Sequence, residues 1–349
     1  MTAPKTLIVG AGATGLCAAL HLGSGALVLE RESRVGGTCR SVRENGFIFD
    51  LAGHVMRSGD PYVDQLYTLL LRDNVRWQEN GTRFGYPLRG GFQALMDAFL
   101  PYIQGEVRLN TSVERISPDR GEVLLDDGTM IPYGALVSTM PLPQLVECLG
   151  AEAPEEIREA AAGLKHVSMR CVNIGVGRES LTEKHWIDSS EGSVFDRIFV
   201  QGNASAHCNP PGGFGLTCEI VYSDSKPLPA EGDELTRRCV EDLRRLGILA
   251  AEDPIWAACQ TDLPYAYVVD DPGRRERVRG IRAWLLEREI LLAGRFSEWE
   301  DFDSDRAFIA GRDAAMHADT LNARLREPSR EERALGPLWL WSPFASLEP

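Results

Sequence analysis

No two cysteines in this sequence are spaced as CxxC, and no Cys/His cluster has zinc-ligand spacing. The eight present (Cys17, Cys39, Cys148, Cys171, Cys208, Cys218, Cys239 and Cys259) are scattered. They read as reduced cytosolic thiols, and no metal site is expected. No apolar run approaches the roughly 20 residues that span a bilayer. The opening MTAPKTLIVGAG enters a strand and a glycine turn at once, which leaves no room for a secretory signal. Positive charge is also scarce: 37 Lys and Arg face 51 Asp and Glu, a net charge of −14. An acidic surface repels phosphate backbones, so nucleic acid is not an expected partner. An anionic small substrate stays open, because a local basic pocket can outweigh the mean field. Internal repeats are absent, and only 326–333 is charge-dense enough for a solvated surface stretch. The expectation is a cytoplasmic enzyme with a small-molecule substrate and no membrane partner.

The chain has 349 residues, 44% of them hydrophobic and 25% charged. That is ordinary globular composition, with length enough to bury a large core. TLIV at 6–9 is followed by a glycine turn, as a buried parallel strand would be. Leu16, Ala19, Leu20 and Leu22 have helical spacing, and ALVL at 26–29 ends at Glu30. This is one βαβ unit. Between strand and helix lies Gly10-Ala11-Gly12-Ala13-Thr14-Gly15, a GxGxxG turn. Gly10 permits the tight turn, Gly12 lets a pyrophosphate approach the backbone, and Gly15 allows close helix–strand packing. The helix N-terminus then offers free N–H groups and positive partial charge to a diphosphate. Glu30 is placed to accept both ribose hydroxyls, which disfavours a 2′-phosphate despite the adjacent Arg31.

Further along, 60–72 and 92–102 read as helices, and 77–86 as strand and turn. Residues 106–140 are strand-rich, with a hairpin signal at Asp127-Gly128. Strands at 171–177, 194–200 and 214–222 alternate with helices near 154–163 and 232–246. ILLAGRF at 290–296 is another apolar strand, and a helix over 308–325 follows. The pattern predicts an α/β protein in which a Rossmann-type dinucleotide-binding domain is interleaved with a second domain built on an antiparallel sheet. The expected dinucleotide domain, the FAD-binding domain if the cofactor is FAD, comprises 1–84, 106–150 and 285–330. The expected substrate domain comprises 85–105 and 151–284, and 331–349 is a C-terminal tail.

Arg34-Val35-Gly36-Gly37-Thr38-Cys39-Arg40-Ser41 resembles the second fingerprint of the amine oxidase-like flavoproteins. Five further segments resemble those of the UDP-galactopyranose mutases, in the same order: Phe49-Asp50-Leu51-Ala52-Gly53-His54-Val55, FGYPLRGG at 84–91, Thr111-Ser112-Val113, LVSTMP at 136–141, and GRFSEW at 294–299. The resemblance implies FAD as cofactor. The contacts expected are Gly10, Gly12, Ala13, Thr14, Gly15, Glu30, Arg31, Gly37, Thr38, Gly53, His54, Val55, Val113, Thr139, Met140, Gly294, Arg295, Asp303 and Ser304. The valine backbone is expected at the adenine and the arginine near the flavin.

The long helical insertion of the mutases is essentially missing between His54 and Phe84. That implies a more open cleft, one closed by a homodimer or partner protein, or a smaller substrate. Asp301-Phe302-Asp303-Ser304-Asp305 replaces a less acidic family run; carboxylates beside a flavin phosphate would repel it, so some must point to solvent. The catalytic candidates are His54, Arg197 and Tyr265. His54 could move a proton or tune the flavin, or be a hydrogen-bonded core histidine. Arg197 matches a diphosphate arginine, or pairs with Asp196 on the surface. Tyr265 matches a substrate-facing tyrosine, or packs in the core. Three functions follow. The first is an FAD-dependent oxidoreductase acting on a small or sugar-derived substrate by hydride transfer to flavin N5. The second is a redox-neutral, mutase-like isomerase of a nucleotide sugar. The third is a non-catalytic flavin-binding subunit.

Overall fold

In a computed structural model, which describes residues 6–57, 59–80, 82–189 and 192–325, the strands Thr6–Val9 and Ala26–Leu29 are almost wholly buried. Strands this apolar on both faces belong in the middle of a parallel sheet. That sheet has five strands in the order Ile290–Leu292, Leu136–Ser138, Thr6–Val9, Ala26–Leu29, Glu106–Arg108. Its register aligns Leu7 with Leu136 and Leu27, and Leu136 with Ile290. The helix Ala13–Leu22 follows the first strand. The final helix, Ser304–Leu325, crosses it closely at Gly311, where a Cβ would lie 2.4 Å from the Thr14 carbonyl oxygen. A chain segment from residue 290 onward therefore buttresses the N-terminal βαβ unit.

Between residues 166 and 268 the chain builds a five-stranded antiparallel sheet. Its order is Trp186–Asp188, Arg197–Phe199, Phe214–Tyr222, His166–Val176, Ile255–Val268. The molecule is α/β, with the Rossmann-type unit interleaved in sequence with this antiparallel layer. A smaller sheet, 113–132, carries the expected hairpin, in which Gly128 takes φ +84°. Pro61–Leu71 is helical, with Pro61 in the first turn and the Asp60 carboxylate accepting from the Tyr62 N–H at 2.8 Å.

Several elements differ from the sequence pattern. The helix expected over 92–102 is short, Gln93–Asp97, followed by a 3₁₀ turn at Leu100–Tyr102. Pro101 has no N–H to continue the ladder. The strand Ile255–Val268 was hidden by Pro264, which argues against a central strand. It is an edge strand, and the ladder shifts register between Val167 and Met169, opposite the proline. Ser168 Oγ donates to the Pro264 carbonyl there at 2.7 Å. The helix Arg274–Leu286 is charged along most of its length and shows its face only as Val278, Ile281 and Leu285. The helix Leu142–Leu149 likewise follows a proline-rich start. Among the described residues no helix is long and apolar enough to cross a membrane. The 331–349 tail, and 326–330 of the last expected FAD-domain segment, lie outside the described residues.

Candidate functional site

The GxGxxG turn is held by its own backbone. Gly10 takes φ +103°, and its N–H donates to the Leu29 carbonyl at 2.8 Å. A Cβ on Gly15 would lie 1.9 Å from the Gly10 oxygen, so only glycine lets helix and turn meet. Gly12 is different: a Cβ there would meet only Gly37 Cα, at 3.8 Å. Space lies in front of it, where the helix Ala13–Leu22 starts with no side-chain cap and no acidic residue in its first turn. An uncapped helix end facing a glycine-lined gap fits a diphosphate.

The second glycine segment docks onto the first. Gly36 N–H donates to the Ala11 carbonyl at 2.8 Å, and Gly12 and Gly36 form a parallel bridge. Gly36 and Gly37 both take positive φ, and Thr38 follows on a 3₁₀ turn. Glu30 is buried and accepts from the Ala11 N–H at 2.7 Å and the Glu32 N–H at 2.9 Å. It therefore fastens the glycine turn itself, while each oxygen keeps a further lone pair. Its carbonyl accepts the Thr111 N–H, which brings the strand beginning at Val113 alongside. Arg31 points away, with its side chain 65% exposed.

Thr139 and Gly294 close the turn from the other side. Thr139 Oγ1 donates to the Val9 carbonyl at 2.9 Å. A Cβ on Gly294 would strike Thr14 Oγ1 at 2.6 Å, so Thr14 and Gly294 touch. The neighbouring Met140 is half-buried against the adjoining apolar core. Ser297 Oγ donates to the Ser138 carbonyl at 2.7 Å, and Trp299 sits fully buried at φ +55°. Arg295 donates to the Phe302 and Ala266 carbonyls and pairs with Asp301 at 2.5 Å. Its Nε is buried with no partner among the described residues. The acidic run is thus largely accounted for: Asp301 holds Arg295, exposed Asp303 lies 3.8 Å from Arg57, and Asp305 accepts from the Arg306 N–H. Ser304 begins the last helix.

Gly53, His54 and Val55 form a loop under the antiparallel sheet. His54 Nδ1 donates to the Ala52 carbonyl at 2.8 Å, and its ring lies 5.2 Å from that of Phe92. Burial works against charging this imidazole, but the Cys39 side chain, the Asp50 carboxylate and the Ala52 carbonyl carry its pKa up to about 9. Asp50 is fully buried, accepting from Ser41 Oγ at 2.6 Å, Tyr86 Oη at 2.7 Å and the Phe92 N–H at 3.0 Å. Its burial raises its pKa.

Arg197 does not pair with Asp196, which is bound instead by Lys226 and the Val221 N–H. Its partner is Glu219, reached across adjacent strands at 2.6 Å. Tyr265 packs with His166, Phe296 and Trp299. Tyr267 is the tyrosine that touches Arg197, at 3.2 Å. The sequence reading missed Tyr267, Trp186 and Glu219. Period-two alternation from Tyr265 marks Tyr267 as a same-side neighbour, but no local signal marks the other two. In the segment where the mutases carry their insertion, the hairpin Val75–Asn80/Thr82–Pro87 forms a wall, with Phe84 edge-on to His185 at 5.0 Å.

The arrangement sets a Rossmann-type dinucleotide turn beside the Gly53–His54 loop and the antiparallel sheet that covers it. An NAD(P)-binding Rossmann-like domain profile matches residues 8–70, and that of the flavin containing amine oxidoreductases matches 64–318. The chain belongs to the flavin-containing amine oxidoreductase family; it is a flavoenzyme. Its fold is similar to that of reduced UDP-galactopyranose mutase, at TM-score 0.84 and 19% identity, covering 92% of this chain and 95% of that one. It is also similar to a candidate protoporphyrinogen oxidase from Exiguobacterium sp. 255-15, at TM-score 0.75 and 15% identity, over 93% and 100%. In sequence, 65 residues are 43% identical to protoporphyrinogen oxidase 2, chloroplastic/mitochondrial, of Arabidopsis thaliana. That match spans 18% of this chain and only 13% of the plant protein.

Proposed function

We propose that the flavin is FAD and that the chain oxidises a small or sugar-derived substrate. The observation that carries the reading is the roof over the Gly53–His54 loop: a Cβ on Gly53 would lie 2.0 Å from Trp186 Cη2 and 2.7 Å from Phe199 Cγ. The two rings lie 4.4 Å apart and tilted, so aromatic carbon covers a loop whose residues Gly53, His54 and Val55 are half-buried. When bound, FAD supplies a hydride acceptor at N5. The uncapped turn at Gly12, Ala13 and Thr14 would take the diphosphate, and Glu30 the ribose. Gly37, Thr38, Thr139, Gly294 and Arg295 would line the rest. Where protonated, His54 would place positive charge beside the loop, which lowers the energy of negative charge developing there. A redox-neutral isomerisation is the second reading, favoured by Arg197 and Arg295 lying on Tyr267. Anaerobic mixing separates the two. Substrate-driven bleaching of the yellow protein, slowed in His54→Ala, supports oxidation. Turnover only after dithionite reduction overturns it.

A further inference from the structure

Glu219 is 2% exposed in the middle of the strand Phe214–Tyr222, and it serves two elements. Oε1 accepts the Gly53 N–H at 2.9 Å. Oε2 accepts Arg197 Nε at 2.8 Å and lies 2.6 Å from Arg197 Nη2. The guanidinium lies 4.5 Å over the ring of Trp186, the residue that roofs Gly53. Arg197 keeps 35% of its side chain exposed, but its charge is balanced from inside the sheet. Two further arginines near these segments are also paired: Arg295 with Asp301 at 2.5 Å, and Arg57 with Asp303 at 3.8 Å.

A balanced ion pair offers hydrogen-bond donors but little net field. A diphosphate is recognised by cations that can pair with it, and it gives up hydration to bind. A carboxylate this buried cannot swing away to free the arginine without losing its own bonds.

We propose that Glu219 is a specificity-determining residue: by neutralising Arg197 from within the sheet, it bars nucleoside diphosphates and other polyanions from the cleft and leaves it to uncharged substrates. The proposal rests on the reading of this cleft as the substrate site. It deepens that reading by excluding the sugar-nucleotide class.

The test is calorimetric titration of the FAD-loaded protein with UDP and, separately, with inorganic pyrophosphate. The native protein and Glu219→Asp, which keeps the charge, should bind neither anion measurably. Glu219→Gln, which keeps the shape, should gain affinity by about tenfold or more, the scale of one unmasked charge pair. The gain should vanish in Glu219→Gln/Arg197→Gln. Tight, Arg197-dependent anion binding by the native protein overturns the proposal. So does a folded, yellow Glu219→Gln that gains nothing, or a gain that survives in the double variant. If Glu219→Gln fails to fold, Glu219→Ala is titrated in its place, with the same expected gain and the same overturning results. Flavin bleaching is read separately, so failure of the oxidase reading leaves this titration interpretable, and the reverse.

Discussion

Around Gly10, Gly12 and Gly36 the contacts are made by backbone, within some thirty residues of sequence. Around Arg197 they are made by the side chains of Trp186, Arg197, Glu219 and Tyr267, with the Gly53 N–H as a fifth segment's contribution. The first region repeats a geometry that a diphosphate demands of any chain. The second is free to vary, because a side chain on a sheet can be exchanged without moving the sheet. The backbone turn is accordingly the feature a Rossmann-type fold holds in common, and the side chains around Arg197 are where the proposed selectivity would be set.

The comparison breaks most severely at Gly15. Gly15→Ala should cost more than about 4 kcal/mol, because a Cβ 1.9 Å from a backbone oxygen has nowhere to go. Urea denaturation and the flavin content of the purified variant measure it. A yellow variant of native stability would show that the turn is not rigid.

The helix behind the turn is held by an uncharged histidine. His21 Nε2 lies 2.7 Å from Tyr62 Oη, and burial, helped by Arg312, lowers its pKa from 6.5 to about 4. The unfolded chain binds this proton first, so the contribution is complete above about pH 6.5 and is lost as the pH falls towards 4. Roughly 3 kcal/mol is at stake. Urea midpoints against pH should fall more steeply for the native protein than for His21→Gln. Parallel curves would remove His21 from the account.

At the seam between the two regions, Tyr86 donates to Asp50 and accepts from Gln201 Nε2. Tyr86→Phe should cost about 1–3 kcal/mol, read as a lowered urea midpoint, with the flavin retained. A loss of flavin instead would mean that this network supports the cofactor turn directly. The smallest effect is a gain. Gly280 lies in the helix Arg274–Leu286 with nothing within 4 Å of an added Cβ. Gly280→Ala should stabilise by about 0.5–1 kcal/mol in the same denaturation assay. Destabilisation there would mean that glycine matters in this chain for more than close approach.

The sequence made the parallel strands, the glycine turns and the Asp127-Gly128 hairpin legible, since each depends on neighbours a few residues away. It also led to His54, through the segment around it. It did not expose the strand Ile255–Val268, because Pro264 is tolerated only through an edge position and a register shift on the partner strand. The pairing of Arg197 was also beyond it. Asp196 is adjacent in sequence, but consecutive residues on a strand face opposite ways. Glu219 stands directly across the ladder from Arg197 and so shares its face.

By itself, the sequence determined the Rossmann-type turn at Gly10–Gly15, because the positive φ at Gly10 and the close approach at Gly15 are open to glycine and closed to other residues. The tertiary structure alone decided which carboxylate compensates Arg197. That depends on distances between Gly53, Arg197, Glu219 and Tyr267, and charge acts through space rather than along the chain.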